Sequence, residues 1–549
     1  MAGGLMTLVA EGNQNVILNG NPSKTFFKST YKKYTNFAMQ KFRLDYVGLR
    51  QLHLNQDTKL TFKVKRYADL LHDTYLVLNL PNIYSPIYPF SCDEDSSRIN
   101  WTPYEFKWIK NIGTMIIREI EVVCGSLTIQ KISGEYLHAL INRDINKQKK
   151  LYDAMTGNLP YLYDPGNYGF RNDTYPNAVY NNGETVEPSI RGRKLYIPLN
   201  LWFCLNTQQA IPLCAIQYQE LEIKITLRPI CDLFTIRDVT DTENDYPVIK
   251  PNFNLSEHAF YRFIHEPIDP SLEPNGYTDK STMWNQDIHL IANYIFLTEE
   301  ERAIYSTYEQ SYLFKEIHEY KYYDIIGSKR QKIETQGLIA NWMFLFQRND
   351  VYLRNQWSNY TNWLYDYLPN DIALASEIGT YCSNFAEGRN RDNTHSFLYA
   401  TGNYSDENTK NILLSLGILL NGEYRENIMD AGVYNYVEPY YKSSPSFNPN
   451  SGIYEYNFDL YTSPFILQPS GAANLSKYAN IEVELNTITP PVNDDAVFNV
   501  ICNPITKEVI GVKKPSWKLY DYTFTLTLLE ERYNVLIISN GNCSLLHAR

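Results

Sequence analysis

Histidine, cysteine and paired carboxylates are the side chains most able to do chemistry, so their spacing comes first. The chain has 549 residues and nine histidines, and the two nearest in sequence are His258 and His265. Seven residues apart, they would share a helix face, but no third ligand sits beside them to complete a metal site. No HxH pair occurs, so the metal site of β-sandwich oxygenases and isomerases is unsupported. The sequence also lacks a GxSxG nucleophile elbow, a GxxxxGK[ST] phosphate loop and an HExxH zinc helix. Eight cysteines, Cys92, Cys124, Cys204, Cys214, Cys231, Cys382, Cys502 and Cys543, include no CxxC pair. Zinc ribbons and thioredoxin-type chemistry are therefore not expected. Most of these cysteines read as small buried hydrophobes of a chain that folds in a reducing compartment. The acidic runs Asp93-Glu94-Asp95 and Glu530-Glu531 read as solvated charge. Glu299 to Glu301 read as a helix start, with Thr298 as N-cap and Glu301 closing a capping box. The expectation is no catalytic residue, no bound metal and no cofactor.

Charge points the same way. The formal net charge is −11, whereas a protein that coats nucleic acid directly needs surplus Lys and Arg. The exception is a basic cluster near the N-terminus: Lys24, Lys28, Lys32, Lys33, Lys41 and Arg43. Such a cluster is either a solvated surface or a contact for anionic lipid or an acidic partner. The start of the chain does not read as a secretory signal, because it has no basic leader and Glu11 interrupts the apolar stretch. No run of roughly 18 apolar residues is present, so no membrane span is expected. Glycosylation sequons at Asn100, Asn172, Asn254, Asn359, Asn403, Asn474 and Asn542 are expected to be little used, since an Asn-rich chain produces them by accident.

The elements that would position these residues are strands. Tyr and Phe number 46 and 24, and aromatic side chains suit half-buried pleated surfaces. Glu220 to Arg228 alternates polar and apolar at every step, as do Tyr522–Leu528 and Ile481–Leu485. Weaker alternation runs through Leu60–Val64, Ile120–Val123 and Tyr454–Leu460. Asn421-Gly422 and Asn540-Gly541 read as tight hairpin turns, because both residues tolerate positive φ; Gly125-Ser126 separates two further strands. Asn142–Ser189, Thr235–Asp279 and Pro369–Lys410 read as long loops, which inside a compact domain are usually interactive. The two halves echo each other: Leu195–Leu199 leads to the strand at Glu220–Leu227, and Ile453–Phe458 leads to the strand at Ile481–Leu485, at nearly equal offsets. That supports a duplicated β domain.

Longer motifs resemble a known family. Gly3-Gly4-Leu5 through Val9-Ala10, Leu18-Asn19-Gly20-Asn21-Pro22, Thr25-Phe26-Phe27-Lys28 and Tyr31 to Ala38 are similar to the start of nucleocytoplasmic large DNA virus major capsid proteins. Ile197-Pro198-Leu199 with Trp202-Phe203, Ile211-Pro212-Leu213, Tyr294 to Arg302, Gln468-Pro469-Ser470-Gly471 and Tyr533-Asn534-Val535-Leu536 continue it in order. Phe346 to Asp350 and Asn355 to Trp363 look like the mimivirus-related branch. The resemblance implies an all-β fold of two tandem jelly-roll sandwiches with long loop insertions and a few short helices. The expected layout is an N-terminal arm at 1–24, a first jelly roll at 25–234, a linker or insertion at 235–284 and a second jelly roll at 285–549. It further implies a virion shell protein assembled in the host cytoplasm. Homotrimers of pseudo-hexagonal outline would tile an icosahedral capsid and meet neighbouring capsomers and minor capsid proteins. The loops Asn142–Ser189 and Pro369–Lys410 would build the tower or trimer contacts. Lys24, Lys28, Lys32 and Lys33 become candidate inner-face contacts, near an internal membrane surface, with no direct nucleic-acid binding. Two other readings are a carbohydrate-binding or attachment jelly roll, using Tyr and Trp as stacking platforms, and a jelly-roll enzyme.

Overall fold

The computed structural model describes residues 3–48, 51–85, 87–89, 101–145, 149–171, 174–176, 178–181, 185–238, 248–267, 276–362, 387–389, 395–397, 410–443, 452–489, 500–502, 509–512 and 522–547. Eight strands build the first half: β1 Phe37–Leu44, β2 Thr58–Lys63, β3 Leu70–Asn79, β4 Ile117–Cys124, β5 Leu127–Ser133, β6 Lys194–Pro198, β7 Leu221–Leu227 and β8 His289–Leu297. Eight more build the second: β9 Gln310–Ile325, β10 Ser328–Lys332, β11 Leu338–Arg348, β12 Leu413–Leu420, β13 Glu423–Asp430, β14 Ile453–Asn457, β15 Ile481–Thr487 and β16 Phe524–Ser539.

Besides smaller two- and three-stranded sheets, the first half has two large antiparallel sheets, ordered β1-β8-β3-β6 and β2-β7-β4-β5. The second half has β9-β16-β11-β14 and β10-β15-β12-β13. Adding eight to every label of the first pair gives the second pair. Even the two-residue strands correspond: Ile211–Pro212 joins β3, and Ala473–Asn474 joins β11. Each half is therefore one jelly-roll sandwich, and the fold is a tandem double jelly roll. The echo between Leu195–Leu199 and Ile453–Phe458 falls on β6 and β14, which occupy the same edge of their sheets.

Alternation explains the facing. Along β7 every second side chain from Leu221 to Leu227 is buried, and β15 repeats this over Ile481 to Leu485. In the β9-β16-β11-β14 sheet, β11, β14 and the first half of β16 are buried on both faces instead. Trp342, Phe344, Phe346, Phe524, Leu526 and Leu528 point into the second sandwich, whereas Met343, Leu345 and Leu529 join the core of the first. Burial on both sides accounts for its nearly continuous apolar runs. One hydrophobic core thus crosses from one sandwich into the other.

Turn chemistry follows the sequence. Asn421-Gly422 and Asn540-Gly541 have φ of 51°, 88°, 48° and 80°, the positive pairs that a type I′ hairpin requires. The second turn joins β16 to a terminal strand, β17 Asn542–Leu545. Helix α1, Gly134–Arg143, starts where Ser133 Oγ accepts the Tyr136 N–H at 3.1 Å. A Cβ on Gly134 would lie 2.1 Å from the Ile117 carbonyl oxygen, so only glycine lets this helix start so close to β4. Helix α2, Glu299–Thr307, begins after Thr298 as read from the sequence, but no side-chain cap bond forms. Arg302 of α2 instead grips Asp69 at 2.6 Å.

The layout needs one correction. Strand β8 lies between β1 and β3 of the first large sheet, with Leu44 opposite Leu290 and Val77 opposite His289. The 235–284 stretch is therefore an excursion within the first sandwich rather than a linker, and the second sandwich starts after β8, not at 285. The missed signal was pairing: β8 is sequence-distant from both neighbours, and alternation does not name partners. Of the loops, 149–171 carries helical turns at Lys149–Thr156 and Pro160–Tyr163. Most of Pro369–Lys410 lies outside the described residues.

Candidate assembly surfaces and the junction between sandwiches

The histidines do not converge. His258 is buried, its Nδ1 accepting the Asn252 N–H at 3.4 Å, while His265 Nε2 sits 2.8 Å from the Ser281 carbonyl oxygen. Among the described residues no group of three or more His, Cys, Asp or Glu side chains is placed to hold a metal ion. No helix among them is long and apolar enough to cross a membrane. Asn359 of one sequon is buried, and its Oδ1 accepts from Thr361 Oγ1 at 2.6 Å, so it closes a local turn. Asp93-Glu94-Asp95 lies outside the described residues.

Glu530 and Glu531 are not solvated: they are 0 % and 1 % exposed. Adjacent strand residues face opposite ways, so one carboxylate enters each side of β16. Glu530 accepts from Trp342 Nε1 at 2.7 Å and Thr335 Oγ1, and pairs with Arg532. Glu531 faces the first sandwich. Its Oε1 accepts from Arg143 Nη2 at 2.6 Å and Tyr136 OH at 3.0 Å, both on α1; its Oε2 accepts from Asn341 Nδ2 at 2.8 Å and Lys315 Nζ at 2.9 Å. Arg143 also grips Asp144 at 2.7 Å and Asn341 at 3.0 Å. Asp144 accepts from Thr462 Oγ1 at 2.7 Å, and Asp459 lies 3.6 Å from Lys315. Burial pushes the Glu531 carboxyl up, but Arg143 and Lys315 outweigh it and hold it well below the usual carboxylate range. Glu455 and Asp459 are pushed the other way by burial, to about 7 and about 6. The signal available in sequence was position: Glu530-Glu531-Arg532 interrupts an otherwise apolar strand, which a surface run would not do.

A second anchor crosses the junction. Asn355 Nδ2 donates to the carbonyl oxygens of Cys231 and Phe234 at 2.8 Å each, and the Arg228 guanidinium stacks 4.2 Å over the Trp357 ring. Trp357 is thus a packing residue, not a ligand platform; Trp363 lies outside the described residues. A third anchor joins β5 and the β6–β7 loop to β9. Gln130 Nε2 donates to the Lys315 carbonyl at 3.1 Å, Gln209 Nε2 to the Leu313 carbonyl at 2.7 Å, and the rings of Trp202 and Phe314 lie 5.2 Å apart.

Other surfaces stay uncovered. Every residue from Gly3 to Lys41 is exposed, including Lys24, Lys28, Lys32 and Lys33 and the apolar Leu18, Phe26 and Phe27. The basic cluster is not one patch: Lys41 lies 5.8 Å over the Tyr75 ring, and Arg43 pairs with Asp45 and Asp287. Strand β13 is exposed at six of its eight positions.

Comparison with known proteins now bears on this arrangement. A family model for the major capsid protein N-terminus matches residues 25–298, and one for the large eukaryotic DNA virus major capsid protein matches residues 327–544. The first match ends just after β8. A major capsid protein of Phaeocystis pouchetii virus is 27% identical, over 88% of this chain and 93% of that protein. That of Paramecium bursaria Chlorella virus 1 is 24% identical over the whole of both. In fold, the chain is similar to the Faustovirus major capsid protein, with a TM-score of 0.60 at 11% identity over 94% of this chain and 93% of the other. A quasi-atomic model of the PBCV-1 virus capsid gives 0.58 at 18% identity, over 96% and 100%. Paired sandwiches locked by buried ion pairs, uncovered edge strands and two consecutive family matches agree: this chain belongs to the major capsid protein family of large eukaryotic DNA viruses, and its role is structural.

Proposed function

We propose that three copies of this chain close into a ring of six sandwiches in which each contact between copies repeats the contact already made inside one chain. The observation that carries it is the eight-strand correspondence. Inside the chain, β5 of the first sandwich packs against β9 of the second. Their counterparts are β13 and β1. Both are exposed, with Tyr424 and Ile428 at 43% and 49% on β13, and Phe37 and Met39 at 56% and 55% on β1. The loop that carries Trp202 has its counterpart after β14, where Leu460, Tyr461, Phe465 and Ile466 are exposed. A head-to-tail interface of this kind closes after three copies and leaves no uncovered β13 or β1 edge. Such trimers, of near-hexagonal outline, suit the tiling of an icosahedral virion shell, and contacts with neighbouring capsomers fall on the outer flanks. The role has no catalytic step. Sedimentation of the purified chain tests it: a species of three chains supports the reading, and a monomer at micromolar concentration overturns it.

The arm before β1 is the second part of this reading. Only Glu11 is acidic before Asp45, against six Lys and Arg, while the chain as a whole is acidic. An exposed arm mixing Lys24, Lys28, Lys32 and Lys33 with apolar side chains suits the inner face of the shell, toward minor capsid proteins or an anionic membrane surface, during assembly in the host cytoplasm. Deleting residues 1–24 should leave trimers intact and weaken shell assembly; unchanged assembly would sink this role.

A further inference from the structure

Cys124 and Cys543 come from nearly opposite ends of the chain and meet at the rim of the sandwich junction. Cys124 ends β4, and Cys543 lies on the terminal β17 hairpin; both are buried and both are free thiols. Gln219 joins them. Its Oε1 accepts from Cys124 Sγ at 3.3 Å and from the Cys543 backbone N–H at 2.7 Å. The hairpin tip is held beside them, because the Gly541 carbonyl accepts from the N–H groups of Gln217 and Tyr218 at 3.0 and 3.1 Å. A cavity of about 560 Å³ opens alongside, lined by Lys63, Lys65, Arg66, Gln217, Gln219 and Glu220; Glu220 pairs with Lys63 at 2.9 Å, and Lys65 and Arg66 leave the lining net basic. Arg66 donates to the carbonyls of Gln217 and Gln219, at 3.1 Å each.

We propose that Cys124 and Cys543 form a redox-dependent disulfide that staples the C-terminal hairpin of the second sandwich to the first sandwich, with an anionic low-molecular-weight disulfide as oxidant entering through the basic cavity. The step balances. The Cys124 thiol gives up its proton, and its sulfur attacks one sulfur of the small disulfide. That S–S bond breaks, and the expelled thiolate takes a proton. The Cys543 sulfur, deprotonated in turn, then attacks Cys124 Sγ and expels the second small thiol. Two protein thiols are oxidised to one disulfide, and the small disulfide is reduced to two thiols. Cys124 faces Cys543 with Arg66 nearby, and these hold its thiol below the usual range, which suits it to attack first. The proposal rests on the virion reading in one respect: a shell protein folds where thiols stay reduced and later meets an oxidising exterior.

The test treats the full-length chain with oxidised glutathione and maps its peptides without reduction. The expected result is a cross-linked peptide joining Cys124 and Cys543, with an upward shift of the unfolding midpoint on the order of 5 °C that a reductant reverses. Cys124→Ser and Cys543→Ser should each abolish both signals, while Cys204→Ser keeps them. If C124S fails to fold, C543S alone decides, because the hairpin is peripheral. Two thiols still alkylatable after oxidation, mixed glutathione adducts alone, or bridges to other cysteines would overturn it. Sedimentation of the same samples separates this from the shell reading: trimers without a bridge sink only the staple, and a bridged monomer sinks only the trimer.

Discussion

The guanidinium of Arg143 and the carboxylate of Glu531 meet at 2.6 Å with both side chains buried, one at the end of a helix of the first sandwich and the other on a strand of the second. Each also has a partner in its own sandwich, Asp144 beside Arg143 and Lys315 beside Glu531, so the pair closes a charged network that spans the junction. Burying one of them without the other is costly, so the pair makes the relative placement of the two sandwiches a condition of stability.

Glu531→Ala should therefore be severe. It takes from Arg143 and Lys315 the buried carboxylate they share, leaving Asp144 and Asp459 as their acidic neighbours, and the expected loss is about 3 kcal/mol. Denaturant titration measures it. The Arg143→Met/Glu531→Leu double variant should lose clearly less than the sum of its single changes, because the residues share one network. Additive losses would mean that the pair does not couple the sandwiches.

The same junction sets a pH dependence. Glu455 and Asp459 have folded values of about 7 and about 6, against 4.5 and 3.8 for the free side chains. The folded state binds their protons more tightly, so their stabilising contribution is full below about pH 4. It is lost as pH rises, up to about 6 for Asp459 and about 7 for Glu455. Glu531 works oppositely: its stabilising contribution is full above about pH 4.5 and is lost progressively as pH falls below that. Unfolding free energy should thus fall across that window, and the Glu455→Gln/Asp459→Asn variant should flatten the slope. An unchanged slope would refute the assignment.

Ile428→Asp and Met39→Asp separate folding from association. Both residues are exposed in the single chain, so the expected change in chain stability is within about 0.5 kcal/mol. A charge buried at a copy-to-copy contact should weaken trimers by at least about tenfold. Sedimentation reads the association, and circular dichroism reads the fold.

Gly134→Ala reverses the usual helix preference. Alanine is ordinarily better than glycine within a helix by about 1 kcal/mol. Here its Cβ would meet the Ile117 carbonyl oxygen at 2.1 Å, so the expected effect is a loss of about 1–3 kcal/mol. A gain measured by thermal unfolding would show that α1 shifts freely.

Local pattern made much of this molecule legible. Period-two alternation located β7 and β15, and Asn-Gly dipeptides located both hairpins, because each signal is confined to a few residues. The duplication was visible through β6 and β14 for the same reason. What failed was long-range. Glu530-Glu531 looked like surface charge because its partners Arg143, Lys315 and Trp342 are distant in sequence. Strand β8 was placed in the wrong sandwich because nothing within it names β1 and β3 as neighbours. The N-terminal lysines were read as a group, yet Lys41 and Arg43 find partners in the first sandwich, at the Tyr75 ring and at Asp45 and Asp287.

Strand β8 lies in the middle of its sheet, with β1 on one side and β3 on the other. A growing chain makes β1 and β3 early and must then synthesise a further 200 or so residues before β8 emerges, which takes on the order of ten seconds or more. Throughout that interval two hydrogen-bonding edges stand open with their wedge missing. The nascent protein is most vulnerable to mispairing with other copies during translation, so chaperone engagement should peak just before residue 297 clears the ribosome.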